Sequence, residues 1–204
     1  YNGDSRIETL REHEHEKGYA SAYEELINYI DNLLPRNEEI GKAFRKNVSM
    51  FPELAIRELV ANALIHQDFH ITGTGVMVEI FSNRLEISNP GTPLVPADRF
   101  LDSPPISRNE KLASFLRRIN VCEERGSGID KVVFQTELFQ LPPPLFEITD
   151  QHTRCVLFAY KELNAMQQEE KVRACYLHAC LKFVQREAMT NTSLRDRLGI
   201  DEKN

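Results

Sequence analysis

The sequence predicts an α+β fold, a two-layer sandwich in which a mixed, largely antiparallel β-sheet carries helices on one face. Two segments with helical periodicity, 21–34 and 51–66, come first along the chain. Two pairs of strand-like segments follow, at 76–87 and 146–160, and each pair is joined by a short turn. A proline-rich crossing and further helical segments separate the two pairs. This order is typical of helices packed on one face of a sheet.

The first helix is predicted from Ser21 to Leu34, where apolar residues recur at helical spacing before Pro35 ends the pattern. The residues before it, 1–17, are polar and mix both charges, which favours a solvated loop or arm. The segment from Glu38 to Asn47 is also polar. Its composition predicts a connector between the first two helices.

The second helix lies in the stretch from Phe51 to Phe69, whose apolar residues predict burial nearly all round the helix. Glu58, Asn62 and His66 interrupt the apolar surface at positions i, i+4 and i+8. This spacing places the three side chains in one row, about 6 Å apart along the axis. A buried polar group without a partner costs about 1–3 kcal/mol. From the helix alone, two interpretations stay open: a hydrated metal ion with an anionic ligand, or a polar stripe satisfied by backbone or water.

The first hairpin is predicted from the alternation of Val76, Val78 and Ile80 with larger or polar neighbours. Its returning strand begins at Leu85 and ends at Ser88-Asn89-Pro90-Gly91, where proline and glycine stop the ladder. The crossing that follows is long and contains four prolines before Ser107-Arg108-Asn109. A loop of this length inside a compact domain is usually functional. We therefore predict that residues 91–109 form a lid.

A glycine-rich turn, Gly126-Ser127-Gly128, opens into a helix predicted to continue to about Phe139. The free N–H groups and the dipole at such a junction suit a phosphate group, although a single GxG motif is weak evidence. A shorter helix is predicted before it, from Lys111 to Ile119. The second hairpin follows after three prolines.

Composition narrows the classes of function. The formal net charge of −6 over 204 residues argues against a chain that binds nucleic acid over its whole surface. No apolar run approaches the roughly 20 residues that cross a bilayer, so no membrane partner is expected. The four cysteines form no CxxC pair, which indicates reduced thiols and a cytoplasmic protein. The segment from Cys175 to Cys180 matches no common zinc spacing and is interpreted as a helical core face.

Four motifs, taken in order, resemble the Bergerat (GHKL-like) ATP-binding fold of gyrase, heat-shock chaperones, histidine kinases and mismatch-repair ATPases. They resemble most closely the ATP-binding domain of bacterial transcriptional regulators that carry an N-terminal Schlafen-AlbA-type module and are often labelled helicase-like. The resemblance covers roughly residues 20–160. The motifs that carry it are Glu58–Phe69, Ile87–Gly91, Ser107–Asn109 and Glu124–Ile129.

The resemblance implies that ATP and Mg²⁺ are the cofactors and gives each motif a role. Glu58 would be the catalytic general base that polarises the water attacking the γ-phosphate. Asn62 would be the metal-site residue, supplying an uncharged oxygen to the Mg²⁺ that bridges the phosphates. Asn89 stands where the fold usually has an aspartate that accepts from the adenine amine, and Pro93 stands where a second glycine is usual. The other implied nucleotide-binding residues are His66, Asp68, Gly91, Arg108, Asn109, Gly126, Ser127 and Gly128.

Three domains follow from the resemblance: an arm or linker at 1–20, an ATP-binding domain at 21–162 and a C-terminal segment at 163–204. Apolar residues at helical spacing from Glu169 to Arg186 precede a short capped helix, for which Asn191, Thr192 or Ser193 is the expected N-cap. This segment resembles the start of a winged helix-turn-helix. The other interpretation is a helical hairpin packed on the sheet domain. Under the winged-helix resemblance, DNA would be bound through modules that are truncated or missing here. A homodimer is one assembly that the resemblance allows.

Three functions from different classes follow. The first is an ATP-binding regulatory domain, weakly hydrolysing at most, of a bacterial DNA-binding transcriptional regulator. The second is an active Mg-dependent ATPase that drives a conformational cycle. The third is a degenerate interaction domain that binds no nucleotide.

Overall fold

The computed structural model describes residues 1, 3–14, 17–34, 36–40, 45–104, 106–122 and 128–200, with only the backbone described at 36–40 and 45–48. Within these residues the helices are α1 (Tyr19–Leu33), α2 (Glu53–His66), α3 (Glu110–Arg118), α4 (Gly128–Leu138), α5 (Gln168–Val184) and α6 (Asn191–Leu198). The strands are β1 (Arg36–Ile40), β2 (Arg45–Ser49), β3 (Met77–Ile80), β4 (Arg84–Pro90), β5 (Leu145–Ile148) and β6 (His152–Phe158).

The main sheet has four strands in the order β3-β4-β6-β5, and every described pair in it is antiparallel. The predicted α+β sandwich is therefore confirmed, and the sheet is antiparallel rather than mixed over the described strands. Both predicted hairpins, β3-β4 and β5-β6, are present. The strand β4 lies at the centre because it pairs with β3 on one side and with β6 on the other.

One face of the sheet is apolar and packs against α1, α2 and α4. Register places Leu85 opposite Leu157 and Ile87 opposite Cys155, so alternate rungs project apolar side chains toward these helices. These residues share one core with Tyr23, Ile27, Phe51, Val60 and Val132. Tyr23 is fully buried, and its hydroxyl donates to the Arg57 carbonyl oxygen (2.6 Å), which ties α1 to α2. Burial of these side chains is the main driving force for the sandwich.

The opposite face of the sheet buries charge instead. Glu79 and Glu86 are paired across β3 and β4 and are only 4% and 5% exposed. Arg6 of the N-terminal arm forms ion pairs with both carboxylates, and Arg84 binds Glu86 (2.6 Å). Two acidic side chains side by side repel each other. The ion pairs with the arginines offset this repulsion and the desolvation cost of burying the two carboxylates.

Three local predictions are wrong. Residues 38–47 were expected to be a connector, but β1 and β2 pair there as a separate two-stranded antiparallel sheet. Leu54, in the first turn of α2, falls within the stretch predicted to be buried nearly all round and is 59% exposed, whereas its neighbours Ala55 and Ile56 are buried. The N-cap of α6 is Thr190, one residue earlier than predicted: its hydroxyl accepts from the Ser193 N–H in a capping box.

The C-terminal helices pack on α4. His178 of α5 is 3% exposed, with Nδ1 2.9 Å from Glu137 Oε2 and Nε2 3.1 Å from Ser193 Oγ. Arg197 of α6 donates to the Leu141 carbonyl oxygen (2.9 Å) and approaches Glu137 within 3.4 Å. These buried polar contacts fasten α5 and α6 to the end of α4. Within the described residues, no helix has the length and apolarity that a membrane crossing requires.

Candidate functional site

A cavity of about 1020 Å³ lies between α2, the end of the sheet, the lid and the start of α4. Its walls are largely apolar, with a few polar groups on each side, which is typical of sites for small organic ligands. The volume is at the upper end of the range for such sites, about 300–1,000 Å³. The cavity is therefore large enough for a nucleotide.

The polar row of α2 faces this cavity. Glu58, Asn62 and His66 all line it, and each is partly buried. The i, i+4, i+8 spacing thus brings the three side chains to one wall, between the buried apolar neighbours Leu59 and Ala63. Burial lowers the pKa of His66, and the nearby Arg108 guanidinium lowers it further. The imidazole is therefore mainly neutral near pH 7.

Gly128, the first residue of α4, lies directly against the Glu58 carboxylate. A Cβ atom at this position would be 2.0 Å from Glu58 Oε1 and 2.8 Å from its Cδ. Any side chain would therefore displace the carboxylate, so only glycine permits this approach. The positive end of the α4 dipole therefore lies beside the α2 row at the edge of the cavity.

The floor of the cavity is the polar end of the apolar sheet face. Asn89 on β4 is 7% exposed and is paired in register with Thr153 on β6, and both line the cavity. The Asn89 Nδ2 donates to the Pro90 carbonyl oxygen (3.0 Å), and the Thr153 hydroxyl donates to the Gly91 carbonyl oxygen (2.7 Å). The Thr153 hydroxyl proton and one of the two Asn89 N–H groups are thus used within the protein, which leaves the Thr153 oxygen as an acceptor and, on Asn89, Oδ1 and one N–H for a ligand.

Four of the predicted site residues lie at the two ends of the lid and are absent from the cavity lining. Gly91 has φ +99° and packs so closely on Asp68 that an added Cβ would lie 2.8 Å from the Asp68 Cβ. Arg108 donates to Asp68 Oδ2 (3.0 Å) and to the Thr92 carbonyl oxygen (2.7 Å). The Asn109 amide donates to two carbonyl oxygens at the end of α2, those of Ile65 and Gln67 (2.7 Å each). These contacts fix where the lid leaves and rejoins the domain.

Basic and unpaired polar groups line the side of the cavity formed by the lid and α3. Lys111 and Arg117 of α3 contribute positive charge, and Glu110 contributes an opposing carboxylate. Among the described residues, the buried Ser107 Oγ has no hydrogen-bond partner, although it lines the cavity. A buried polar atom in this state favours a ligand that supplies the missing bond. An anionic, hydrogen-bonding ligand fits this wall.

The donor set limits how a metal could be held. No group of three or more His, Cys, Asp or Glu residues with metal-binding geometry occurs among the described residues. Glu58 and Asn62 nevertheless offer oxygen atoms along the same row, and oxygen is the ligand that Mg²⁺ prefers. The residues present therefore fit a metal that is held chiefly by ligand phosphates and by one or two protein oxygens.

Of the predicted site residues, the cavity unites five: Glu58, Asn62, His66, Asn89 and Gly128. Gly126 and Ser127 lie outside the described residues. Sequence reasoning did not single out Thr153, Arg117 or Phe146, which also line the cavity. Only strand register, which pairs Thr153 with Asn89, could have indicated the first of these.

A family of known proteins matches a part of the chain that contributes residues to this cavity. The family model HATPase_c_4, described as "Putative ATP-dependent DNA helicase recG C-terminal", matches residues 73–157. That span includes Asn89, the lid, Gly128 and Thr153. It begins at residue 73, after the end of α2. No curated protein matches the sequence. The family match supports an ATPase-like, ATP-binding domain built on the main sheet.

Solved structures show the same fold. One of those that match is the DIP2311 protein from Corynebacterium diphtheriae, with a TM-score of 0.69 and 20% sequence identity. The alignment covers 97% of this chain and 43% of that chain, so the chain spans less than half of its neighbour's length. At this identity the likeness establishes the fold alone.

Proposed function

We propose that this chain is the ATP-binding regulatory domain of a bacterial DNA-binding transcriptional regulator, with a Bergerat-type (GHKL-like) nucleotide site. The observation that carries the proposal is the cavity in which the α2 row, the Asn89–Thr153 pair and the start of α4 meet. The family match over residues 73–157 supports the ATP-binding part of the proposal.

Each wall of the cavity has a role in this proposal. Asn89 Oδ1 and Thr153 Oγ1 accept from the donor edge of adenine at the sheet end. The phosphates would lie in the cavity beside the α4 N-terminus and the α2 row, where the helix dipole and Lys111 would offset their charge. Asn62 holds the Mg²⁺, which neutralises phosphate charge when it is bound. His66 is neutral at pH 7 and serves as a hydrogen-bonding group beside the phosphates. The lid, with Asp68, Gly91, Arg108 and Asn109 at its ends, would enclose the nucleotide. Gly126 and Ser127 remain phosphate-binding residues predicted from the motif alone.

The regulatory part of the proposal rests on the C-terminal helices. Helices α5 and α6 are fastened to α4, whose first residue lies against Glu58. Their resemblance to the start of a winged helix supports a role in DNA binding within a longer protein. A change at the nucleotide would then reach the DNA-binding part through α4, and a homodimer would suit a regulator of this kind.

A second candidate, an active Mg-dependent ATPase, is favoured by one specific observation. The Glu58 carboxylate lies at the start of α4, where a γ-phosphate would lie under the first proposal. A carboxylate at that place is able to accept a proton from an attacking water. Hydrolysis is thus chemically available to this site.

The proposal is tested by thermal unfolding and calorimetry with Mg²⁺ and a non-hydrolysable ATP analogue. Binding to the folded state alone stabilises a protein by about 2.7 kcal/mol at 100 times Kd. We expect a clear rise in Tm for the wild type and none for Asn89→Leu, which removes the acceptor from the cavity floor. Asn191→Ala, at an exposed position on α6, is the control and should respond like the wild type. If no nucleotide binds the wild type, the proposal is wrong, and the function that remains is an interaction domain that binds no nucleotide.

Steady-state phosphate release separates the two nucleotide-dependent functions. Glu58→Gln should retain binding of the analogue, and Glu53→Gln, an exposed glutamate on the same helix, serves as the matched control. If the wild type turns over ATP and only Glu58→Gln abolishes turnover, the chain is an ATPase. If none of the three proteins releases phosphate from ATP while all three bind the analogue, the chain is a nucleotide sensor.

A further inference from the structure

The middle of the lid touches the C-terminal helices as well as the cavity. Leu94, Val95, Phe100 and Ile106 line the cavity, whereas Leu101 is 6% exposed and packs on the opposite side. Leu101 shares a core with Val133 of α4 and with Leu177 and Leu181 of α5. Phe100 and Leu101 are adjacent in the chain. A ligand that moves Phe100 therefore also moves Leu101.

A hydrogen bond reinforces this contact. The Tyr176 hydroxyl of α5 donates to the Asp98 carbonyl oxygen of the lid (2.7 Å). Asp98 lies in the 3₁₀ turn Ala97–Arg99, three residues before Leu101. We call the Tyr176–Asp98 bond and the packing of Leu101 on α5 the lid latch.

The lid leaves some of its apolar side chains exposed at the cavity. Leu94 and Ile106 line the cavity and yet remain 49% and 51% exposed. A lid closed over a ligand would bury such apolar side chains, which is favourable by about 25 cal/mol per Å² of apolar surface. The two ends of the lid are held by Asp68, Arg108 and Asn109, so closure must come from its middle. That middle is the part which the lid latch holds on α5.

We propose that the lid latch couples nucleotide binding to the position of α5 and α6, so that closing the lid over a nucleotide releases α5. This inference rests on the proposed function and specifies how its site is regulated. Because α5 is joined to α6 through His178 and Ser193, the two helices respond together. Coupling between two sites is reciprocal, so anything that pulls α5 away from the lid also strengthens nucleotide binding.

The direction of the effect makes the proposal testable with one conservative substitution. Tyr176→Phe removes the hydroxyl that holds Asp98 and leaves the ring in place, and Tyr176 is 44% exposed, so the variant should fold. Calorimetry with Mg²⁺ and the non-hydrolysable ATP analogue should give about fivefold tighter binding, the equivalent of one net hydrogen bond. Tyr160→Phe removes a hydroxyl from another exposed tyrosine outside the cavity and should bind like the wild type. Unchanged or weaker binding by Tyr176→Phe would overturn the proposal.

Hydrogen exchange gives a readout that needs no nucleotide. In the free protein, Tyr176→Phe should exchange faster than the wild type over residues 97–104, whereas Tyr160→Phe should not. Addition of the analogue to the wild type should speed exchange in α5 and slow it in the lid. If the free variant keeps wild-type exchange at 97–104, the latch does not hold the lid. If the wild type binds no nucleotide, the proposed function is wrong. Exchange in the free proteins still shows whether the latch holds the lid, so the two failures can be told apart.

Discussion

Gly128 is the residue on which the approach of α4 to the Glu58 carboxylate depends. Its backbone lies in the ordinary helical range, so alanine can adopt it without strain, and alanine favours a helix interior over glycine by about 1 kcal/mol. The cost of a side chain falls on Glu58, whose Oε1 would be 2.0 Å from the new Cβ. Replacing Gly128 with alanine is therefore expected to change folding stability little and to displace the Glu58 carboxylate in the site.

We predict that Gly128→Ala leaves the free energy of unfolding within about 1 kcal/mol of the wild type. Binding of the ATP analogue, measured by calorimetry, should weaken by at least about tenfold, or 1.4 kcal/mol. Gly75→Ala is the matched control, because an added Cβ there meets no atom within 4 Å. Wild-type affinity in Gly128→Ala would show that binding does not use the contact between α4 and Glu58.

His66 gives the cavity a defined dependence on pH. Burial, and then the charge of Arg108, lower its pKa below the ordinary value of 6.5. The unfolded chain therefore takes up a proton before the folded chain does, and folding stability falls as the pH drops below 6.5 through the lowered pKa. Above 6.5 the residue is neutral in both states and contributes no pH dependence.

Replacing His66 with glutamine should remove this part of the pH dependence. Urea denaturation at pH 7.5 and pH 5 should show a smaller loss of stability for His66→Gln than for the wild type. His70→Gln, at an exposed position beyond α2, serves as the control and should keep the wild-type slope. Parallel curves for wild type and His66→Gln would mean that the imidazole is not protected from protonation.

At the scale of elements, the lid is a segment whose two ends are fixed by hydrogen bonds to the rest of the domain. The Asn109 amide caps the last carbonyl oxygens of α2 at the point where α3 begins, and Arg108 joins Asp68 to Thr92. The glycine conformation at Gly91, with φ +99°, turns the chain out of β4. The sequence indicated these residues as nucleotide contacts, and that assignment remains a prediction. Their observed contacts hold the cavity in shape.

Asn109→Ala should loosen both α2 and the lid. The substitution leaves two carbonyl oxygens at the end of α2 without their donor, which costs about 1–3 kcal/mol. Chemical denaturation should show this loss, and exchange at 65–68 and 106–109 should rise together. Asn83→Ala, in the exposed turn between β3 and β4, should change stability much less. A loss confined to the lid, with α2 unchanged, would contradict the capping role.

At the scale of the whole molecule, helices on one sheet face were predictable because apolar periodicity reports burial directly. The row of Glu58, Asn62 and His66 followed from helical geometry, and all three line the cavity. The match of residues 73–157 to an ATPase-like family supports an ATP-binding domain, and the nucleotide contacts named from the motifs stay predictions. The β1-β2 sheet was missed because its strands are polar. Without an apolar alternation, the local sequence does not distinguish a strand from a connector.

Local sequence was sufficient for the helices, the hairpins and the α2 row, because residue spacing within one element sets which side chains share a face. Long-range packing alone brought Thr153 beside Asn89, placed Gly128 on Glu58 and set Tyr176 and Leu101 between the lid and α5. Those contacts join residues far apart in the chain. They depend on strand register and on the side from which each helix meets the sheet, and no local pattern encodes either.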